Sequence, residues 1–420
     1  MNLKWVNHAS YILESENIRL ITDPWIEGRV FNESWSLLVP AELTFEDFKD
    51  ITHIWFSHEH PDHFFPPNLT KIPQEYRNNI TVLFQKTSDN KVAAFCTKIG
   101  FKSVVELNEY NPICIGDDIE VTIGKVTNDS DSWLFLEKND IKILNLNDCV
   151  FQEEELERLS KYTGKVDILL TQFSFANWIG NKNDHNAMKA SAERKLSDIE
   201  RHISYFSPKY TIPFASYVWF CHEDNFHFNE FANKIDDVAE HIKKLNSIPV
   251  ILYPGDTWLL KDKHDSSEAI QKYLDAANTL KQRKLTHFDS IPLETLEKEA
   301  IAFTEKALKR NNKRKLLSYH PMYIYLTDFK VVYSYSYRSG LKKAANKTQE
   351  TSDISFHSQN LSYCFNFDWG FDTILIAGTF EKPEKGNFQN FMEYDWVANL
   401  NNRGKKMKGL LGRLLDRVMK

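Results

Sequence analysis

The chain is short of cysteine: five in 420 residues (Cys96, Cys114, Cys149, Cys221, Cys364), with no C-x-x-C pair among them. That usage points to a reduced, cytoplasmic compartment. No run of 18 apolar residues occurs, and the opening MNLKWVNHAS lacks the apolar core of a signal peptide, so no transmembrane segment is expected. A basic excess is also missing. With 52 Lys and Arg against 58 Asp and Glu, the formal charge of −6 offers nucleic acid no global attraction. There is no P-loop, G-x-G-x-x-G, internal repeat or low-complexity tract. A Cys-His nucleophile has no local support either: Cys221 and His222 are adjacent, and adjacent strand residues point oppositely. What remains is an ordinary globular composition, 42% hydrophobic and 26% charged, long enough for two or three domains around a large core.

One stretch dominates, residues 51–65, ITHIWFSHEHPDHFF. An apolar β-rich run ends in Ser57, and His58, His60, Asp62 and His63 follow within six residues. At a strand end, residues i and i+2 project to one side, so His58 and His60 can reach one ion together. Pro61 stops the strand, and Asp62-His63 can fold back toward the same point. Three imidazoles and a carboxylate suit a divalent cation of the zinc or iron type.

Around this motif the chain alternates strand and helix signals. Residues 3–22 read as a hairpin, LKWVNHASYIL and NIRLIT, with ESEN as the turn, followed by T-D-P-W. Pro66-Pro67 opens a loop, 81–86 is a strand, 89–101 a helix ended by glycine, and 141–149 a buried strand. The segments 151–162 and 191–208 are helices flanking the strand 166–174, and 210–224 is a strand and loop carrying His222. From 265 the composition shifts to two charged helices. Aromatic-rich stretches at 323–337 and 361–380 then read as paired antiparallel strands. The tail 403–420 is a basic amphipathic helix, suited to an anionic membrane, a partner or its own domain.

H-x-H-x-D-H behind a hydrophobic strand resembles the signature of the metallo-β-lactamase superfamily. The resemblance implies an α/β fold, a four-layer αββα sandwich with its metal site at one edge, over residues 1–262. Residues 263–420 then form an α+β accessory domain. T-D-P-W, K-I-L-N-x-x-D-C and P-F-A-x-Y with a later histidine are similar to the CMP-N-acetylneuraminate hydroxylase-like branch. By that resemblance Asp148 bridges two ions, and Asp62, His63 and His222 hold the second. His8 and Asp23 stand near the metals or face substrate, or serve as a core histidine and a capped turn. The histidine that the superfamily supplies near 127–132 is absent, and Asp129 or Asp131 replaces it or forms a turn. Asp256 faces the site or shapes its own turn. The branch's Rieske ligands, Cys-x-His and Cys-x-x-His, are also absent.

Two chemistries follow, both on a small-molecule substrate. The favoured expectation is a metal-dependent hydrolase of esters, phosphodiesters, lactones or amides, in which Asp62 is catalytic and helps present hydroxide. The alternative is a di-iron, oxygen-dependent hydroxylase of a nucleotide-sugar or similar polar metabolite. It requires a separate reductase.

Overall fold

The computed structural model describes residues 1–126 and 131–408. Strands β1 (Asn2–Asn7) and β2 (Ser10–Glu14) meet in a tight turn at His8-Ala9, with Asn7 opposite Ser10. The sequence reads as one strand there because a register shift between Trp5 and Asn7 offsets the two-residue turn: Leu3 and Trp5 stand opposite Leu13 and Tyr11, so all four face one side. The chain continues through β3 (Arg19–Thr22), β4 (Trp35–Leu37) and β5 (His53–Phe56). Helices α1 (Pro66–Lys71) and α2 (Gln74–Arg77), strand β6 (Thr81–Gln85), helix α3 (Lys91–Lys98) and strand β7 (Ser103–Leu107) follow. Pro66-Pro67 thus starts a helix, not a loop, because proline at the first turn forfeits no helical hydrogen bond.

The second half of the fold contains β8 (Ile113–Cys114), β9 (Glu120–Lys125), β10 (Ser132–Lys138), β11 (Ile141–Asn145), α4 (Glu153–Thr163) and β12 (Ile168–Gln172). Then come α5 (His185–Phe206), β13 (Tyr210–Phe214), β14 (Val218–Phe220), α6 (Ile235–Lys244), β15 (Ile248–Pro249) and β16 (Thr257–Leu259). Two seven-stranded sheets result, β16-β1-β2-β3-β5-β6-β7 and β15-β13-β12-β11-β10-β9-β8.

Alternation along the strands assigns the layers. Leu20, Trp55 and Leu83 of the first sheet pack between the sheets against Ile123, Leu134 and Leu144 of the second. Their neighbours Ile21, Ile54, Phe56 and Val82 face outward onto Leu69 of α1 and Val92 and Cys96 of α3. Leu156, Ile199, Phe206 and Val238 from α4, α5 and α6 cover the second sheet's outer side. The architecture is αββα, as expected. Trp55 is fully buried in this core, immediately before the histidine-rich loop.

Beyond the sheets, α7 (Ser267–Asn278) returns to the first core, where the Trp5 indole donates to the Tyr273 hydroxyl at 3.1 Å. A second core forms among α8 (Leu293–Arg310), α9 (Lys313–Leu316) and a five-stranded sheet. The strands are β17 (Met322–Leu326), β18 (Val331–Ser336), β19 (Gly340–Lys343), β20 (Ile354–Phe356) and β21 (Phe380–Glu381), in the order β19-β18-β17-β20-β21. The stretch 361–380 is not the strand pair its aromatics suggest. It forms α10 (Ser358–Asn366) and α11 (Gly370–Ala377), with α12 (Gln389–Asn402) after them. Leu361, Cys364 and Phe365, then Phe371, Ile374 and Ala377, are buried at helical spacing, and that packing overrides β propensity. Of the basic tail, residues 409–420 lie outside the described residues. Among the described residues no helix is long and apolar enough to cross a membrane.

Candidate metal centre

β5 ends at Phe56, and the loop after it turns back immediately: His63 N and Phe64 N both donate to the His60 carbonyl, at 3.0 and 2.7 Å. This fold-back brings His58, His60, Asp62 and His63 together. Three overlapping groups result, each with ligand atoms within 4.8 Å of one another: His58, His60 and Asp131; His58, His63 and Asp148; His8, Asp62 and His63. Shared members make the three groups one continuous cluster.

Each contributor has a local cause. His8 occupies the β1–β2 turn, which places its Nε2 3.3 Å from Asp62 Oδ2. Asp131 precedes β10, whose first residue, Ser132, donates from both backbone N and Oγ to the Ser57 carbonyl, at 3.2 and 2.6 Å. Asp148 follows β11 on a turn in which Asn147 N is held by Asn145 Oδ1 at 2.9 Å. Asp148 Oδ2 then lies 3.7 Å from His58 Nε2 and 3.5 Å from His63 Nε2.

Asp23 is a buried orienting group. Its carboxylate accepts from Ser57 N at 2.8 Å, Ser57 Oγ at 2.7 Å and Asn147 Nδ2 at 2.6 Å, and it lies 2.9 Å from His63 Nδ1. A carboxylate on Nδ1 fixes the ring and leaves Nε2 for a cation.

Electrostatics and unsatisfied atoms both favour cations here. Burial alone would push the Asp62 carboxyl up, but His63 and His8 hold it well below the usual range. Burial would push His63 down, yet Asp62, Asp148 and Asp23 hold it well above. Burial pushes His58 and His8 down, toward the neutral form that ligates metal. His8 Nδ1, His63 Nε2, Asp131 Oδ1 and Asp148 Oδ1 are buried without hydrogen-bond partners. Buried polar atoms normally have partners, and bound cations would both satisfy these atoms and balance the clustered carboxylates. The residues fit a metal centre.

Other expected site residues stand apart. Asp129 lies outside the described residues. Among the described residues His222 joins none of the three groups. A backbone bridge ties His222 to Thr286, its Nδ1 accepts from Asp224 N at 3.1 Å, and its ring stacks on Phe288 with centroids 3.9 Å apart. That bridge fixes the segment toward Phe288, and His8 stands beside Asp62 and His63 instead. Asp256 Oδ2 accepts from Tyr253 N at 2.8 Å within its own turn and joins no group either.

Two contributors have no motif to announce them. Lys195 of α5 donates to Gln172 Oε1 at 2.5 Å at the end of β12; burial pushes its ammonium pKa down while the Asp198 and, less strongly, Asp148 carboxylates pull it up. Asp372 of α11 places Oδ2 3.5 Å from His60 Nε2. Neither is marked by a ligand-type spacing in the sequence.

Residues 2–192 match the beta-lactamase superfamily domain, and the αββα sandwich is the metallo-β-lactamase fold. The chain is 24% identical over 278 residues to the cytidine monophosphate-N-acetylneuraminic acid hydroxylase of Danio rerio, covering 61% of this chain and 45% of that protein. It is 25% identical over 296 residues to the inactive human protein of that name, covering 64% and 57%. It thus spans about half the length of the curated relatives it matches. Among solved structures it is similar to CmlA, a diiron beta-hydroxylase from Streptomyces venezuelae, at 16% identity and a TM-score of 0.44, covering 62% of this chain and 54% of that one.

Proposed function

We propose that the protein is an oxygen-dependent hydroxylase with a two-iron centre, acting on a polar, anionic metabolite. One observation carries the reading: each of the three ligand groups comprises two histidines and one carboxylate. Two histidines and a carboxylate with open positions are the donor set of non-haem iron oxygenases; some zinc hydrolases share it, and each histidine replaced by a carboxylate makes a site harder and more suited to iron. Asp131 makes the difference, supplying a carboxylate where the superfamily resemblance leads one to expect a histidine. The similarity to hydroxylases supports the same choice.

In this reading His58, His60 and Asp131 would hold one ion and His8, Asp62 and His63 the other, with Asp148 grouped with His58 of the first set and His63 of the second. Iron bound there supplies the capacity to activate dioxygen. The chain's own residues do the rest. Asp23 keeps the His63 ring oriented. Phe31 lies against His60 and Trp25 against His8, with ring centroids 6.2 and 5.9 Å apart, and both limit water around the ligands. The Lys195 ammonium has three donors and donates to Gln172 Oε1, which leaves it able to hold a substrate anion as well.

The balanced reaction is R–H + O2 + 2e⁻ + 2H⁺ → R–OH + H2O, and a separate reductase supplies the electrons. The test is turnover of a panel of nucleotide-sugars, esters, lactones and phosphodiesters, with and without oxygen and a reductant, alongside metal analysis. Iron in the protein and product formed only with oxygen plus reductant are expected. Turnover without either, with zinc bound, overturns the proposal in favour of the hydrolase.

A further inference from the structure

The histidine-rich loop does not stand alone. α11 and α12, from the far end of the chain, close against it. Asp372 meets His60, and Asn402 Nδ2 donates to Glu59 Oε1 at 2.9 Å. Lys91 of α3 joins this contact, with Nζ 2.7 Å from Glu59 Oε2 and 2.8 Å from Asn402 Oδ1. α11 is itself held in place: Trp178 N donates to the Leu375 carbonyl at 2.9 Å, and Asn225 Nδ2 to the Ala377 carbonyl at 2.7 Å.

The two nitrogens of His60 face different partners. Nδ1 is 2.8 Å from His58 Nε2, inside the ligand cluster. Nε2 is 3.5 Å from Asp372 Oδ2, on the ring's other side. A neutral imidazole has one N–H and one lone pair. A carboxylate at Nε2 selects the tautomer with the proton there, which leaves the Nδ1 lone pair for a cation.

We propose that Asp372 is a positioning residue of the metal centre: it fixes the tautomer and orientation of His60, so that the segment after the two-sheet fold completes the site. The inference rests on the metal-centre reading above. It mirrors what Asp23 does for His63, with one difference. Asp23 is built into the first sheet's own edge, whereas Asp372 arrives from a separately cored region.

The test uses the full-length, metal-free protein titrated with Co²⁺, followed by visible absorption and by competition with a chelator. Wild type, Asp372→Asn, Asp372→Leu and Asp372→Ala are compared. Asn retains an acceptor oxygen; Leu and Ala lack one, and either carries the test if the other does not fold. Removing such an outer partner typically weakens metal affinity ~10–100-fold, and a loss of that order is expected in Leu and Ala, with Asn recovering most of it. In a His60→Ala background, Asp372→Leu should cause no further loss, and the metal-free forms should melt together. Equal Co²⁺ affinity in wild type, Leu and Ala overturns the role of Asp372. Failure of wild type to bind Co²⁺ overturns the metal-centre reading itself.

Discussion

Asp23 Oδ2 and His63 Nδ1 lie 2.9 Å apart, and neither side chain is more than 1% exposed. The carboxylate also takes three donors from Ser57 and Asn147. Asp23→Ala leaves these donors and the His63 ring without their acceptor. Breaking a buried pair of this kind costs ~3–5 kcal/mol, a loss that chemical denaturation would read directly. Metal affinity should fall ~10–100-fold as well, because His63 loses its orienting partner. Asp23→Asn should be gentler on folding, since the backbone φ of 37° is easier for Asn than for Ala. Unchanged affinity in both variants would remove Asp23 from the site.

Asp131→His converts the group around His58 and His60 into three histidines. The expected outcome is a higher zinc-to-iron ratio in protein expressed with both metals available, and loss of any oxygen-dependent turnover. Elemental analysis of wild type and variant purified in parallel checks this. An unchanged ratio would mean that Asp131 does not select the metal.

A third expectation concerns pH. His202 on α5 is buried, its Nδ1 lies 2.8 Å from Thr171 Oγ1, and burial lowers its pKa from 6.5 to about 3, with Arg201 and Lys195 contributing. The folded state keeps this ring neutral while the unfolded chain protonates below about 6.5. Its contribution to stability is therefore complete above pH 6.5 and lost as pH falls toward 3, about 1.4 kcal/mol per pH unit. His202→Asn keeps a polar group near Thr171 but does not titrate. Urea denaturation between pH 7 and 4 should give a shallower decline for Asn than for wild type. Parallel slopes would show that His202 is not held neutral.

The legible parts of the fold are those specified locally. Short apolar, β-rich runs mark β5, β6 and β12, and the fold-back at Pro61 lies within six residues of the histidine-rich loop's ligands. Asp148 was reached by resemblance, at the end of a strand that periodicity also finds. The rest depended on long-range contacts. His222 occupied a promising sequence position, but its bridge to Thr286 directs it to Phe288. His8 reads as the middle of a strand, because the register shift between Trp5 and Asn7 offsets the tight turn and leaves the hydrophobic alternation intact. Nothing in G-F-D-T-I-L-I-A distinguishes Asp372 from a surface carboxylate, and its partner lies at the opposite end of the chain.

The contact between Glu59 and Asn402 joins residues 343 positions apart. During synthesis at ~5–20 residues per second, the ribosome releases Glu59 roughly 17–70 s before Asn402. Over that interval the sheets can form and bury Trp55 while His60 still waits for Asp372. On the proposed reading, the nascent chain would display a histidine-rich loop with a half-built grip on metal. The full grip would arrive only once α11 and α12 have been made and have docked, so metal capture would come late, after the sheets have formed.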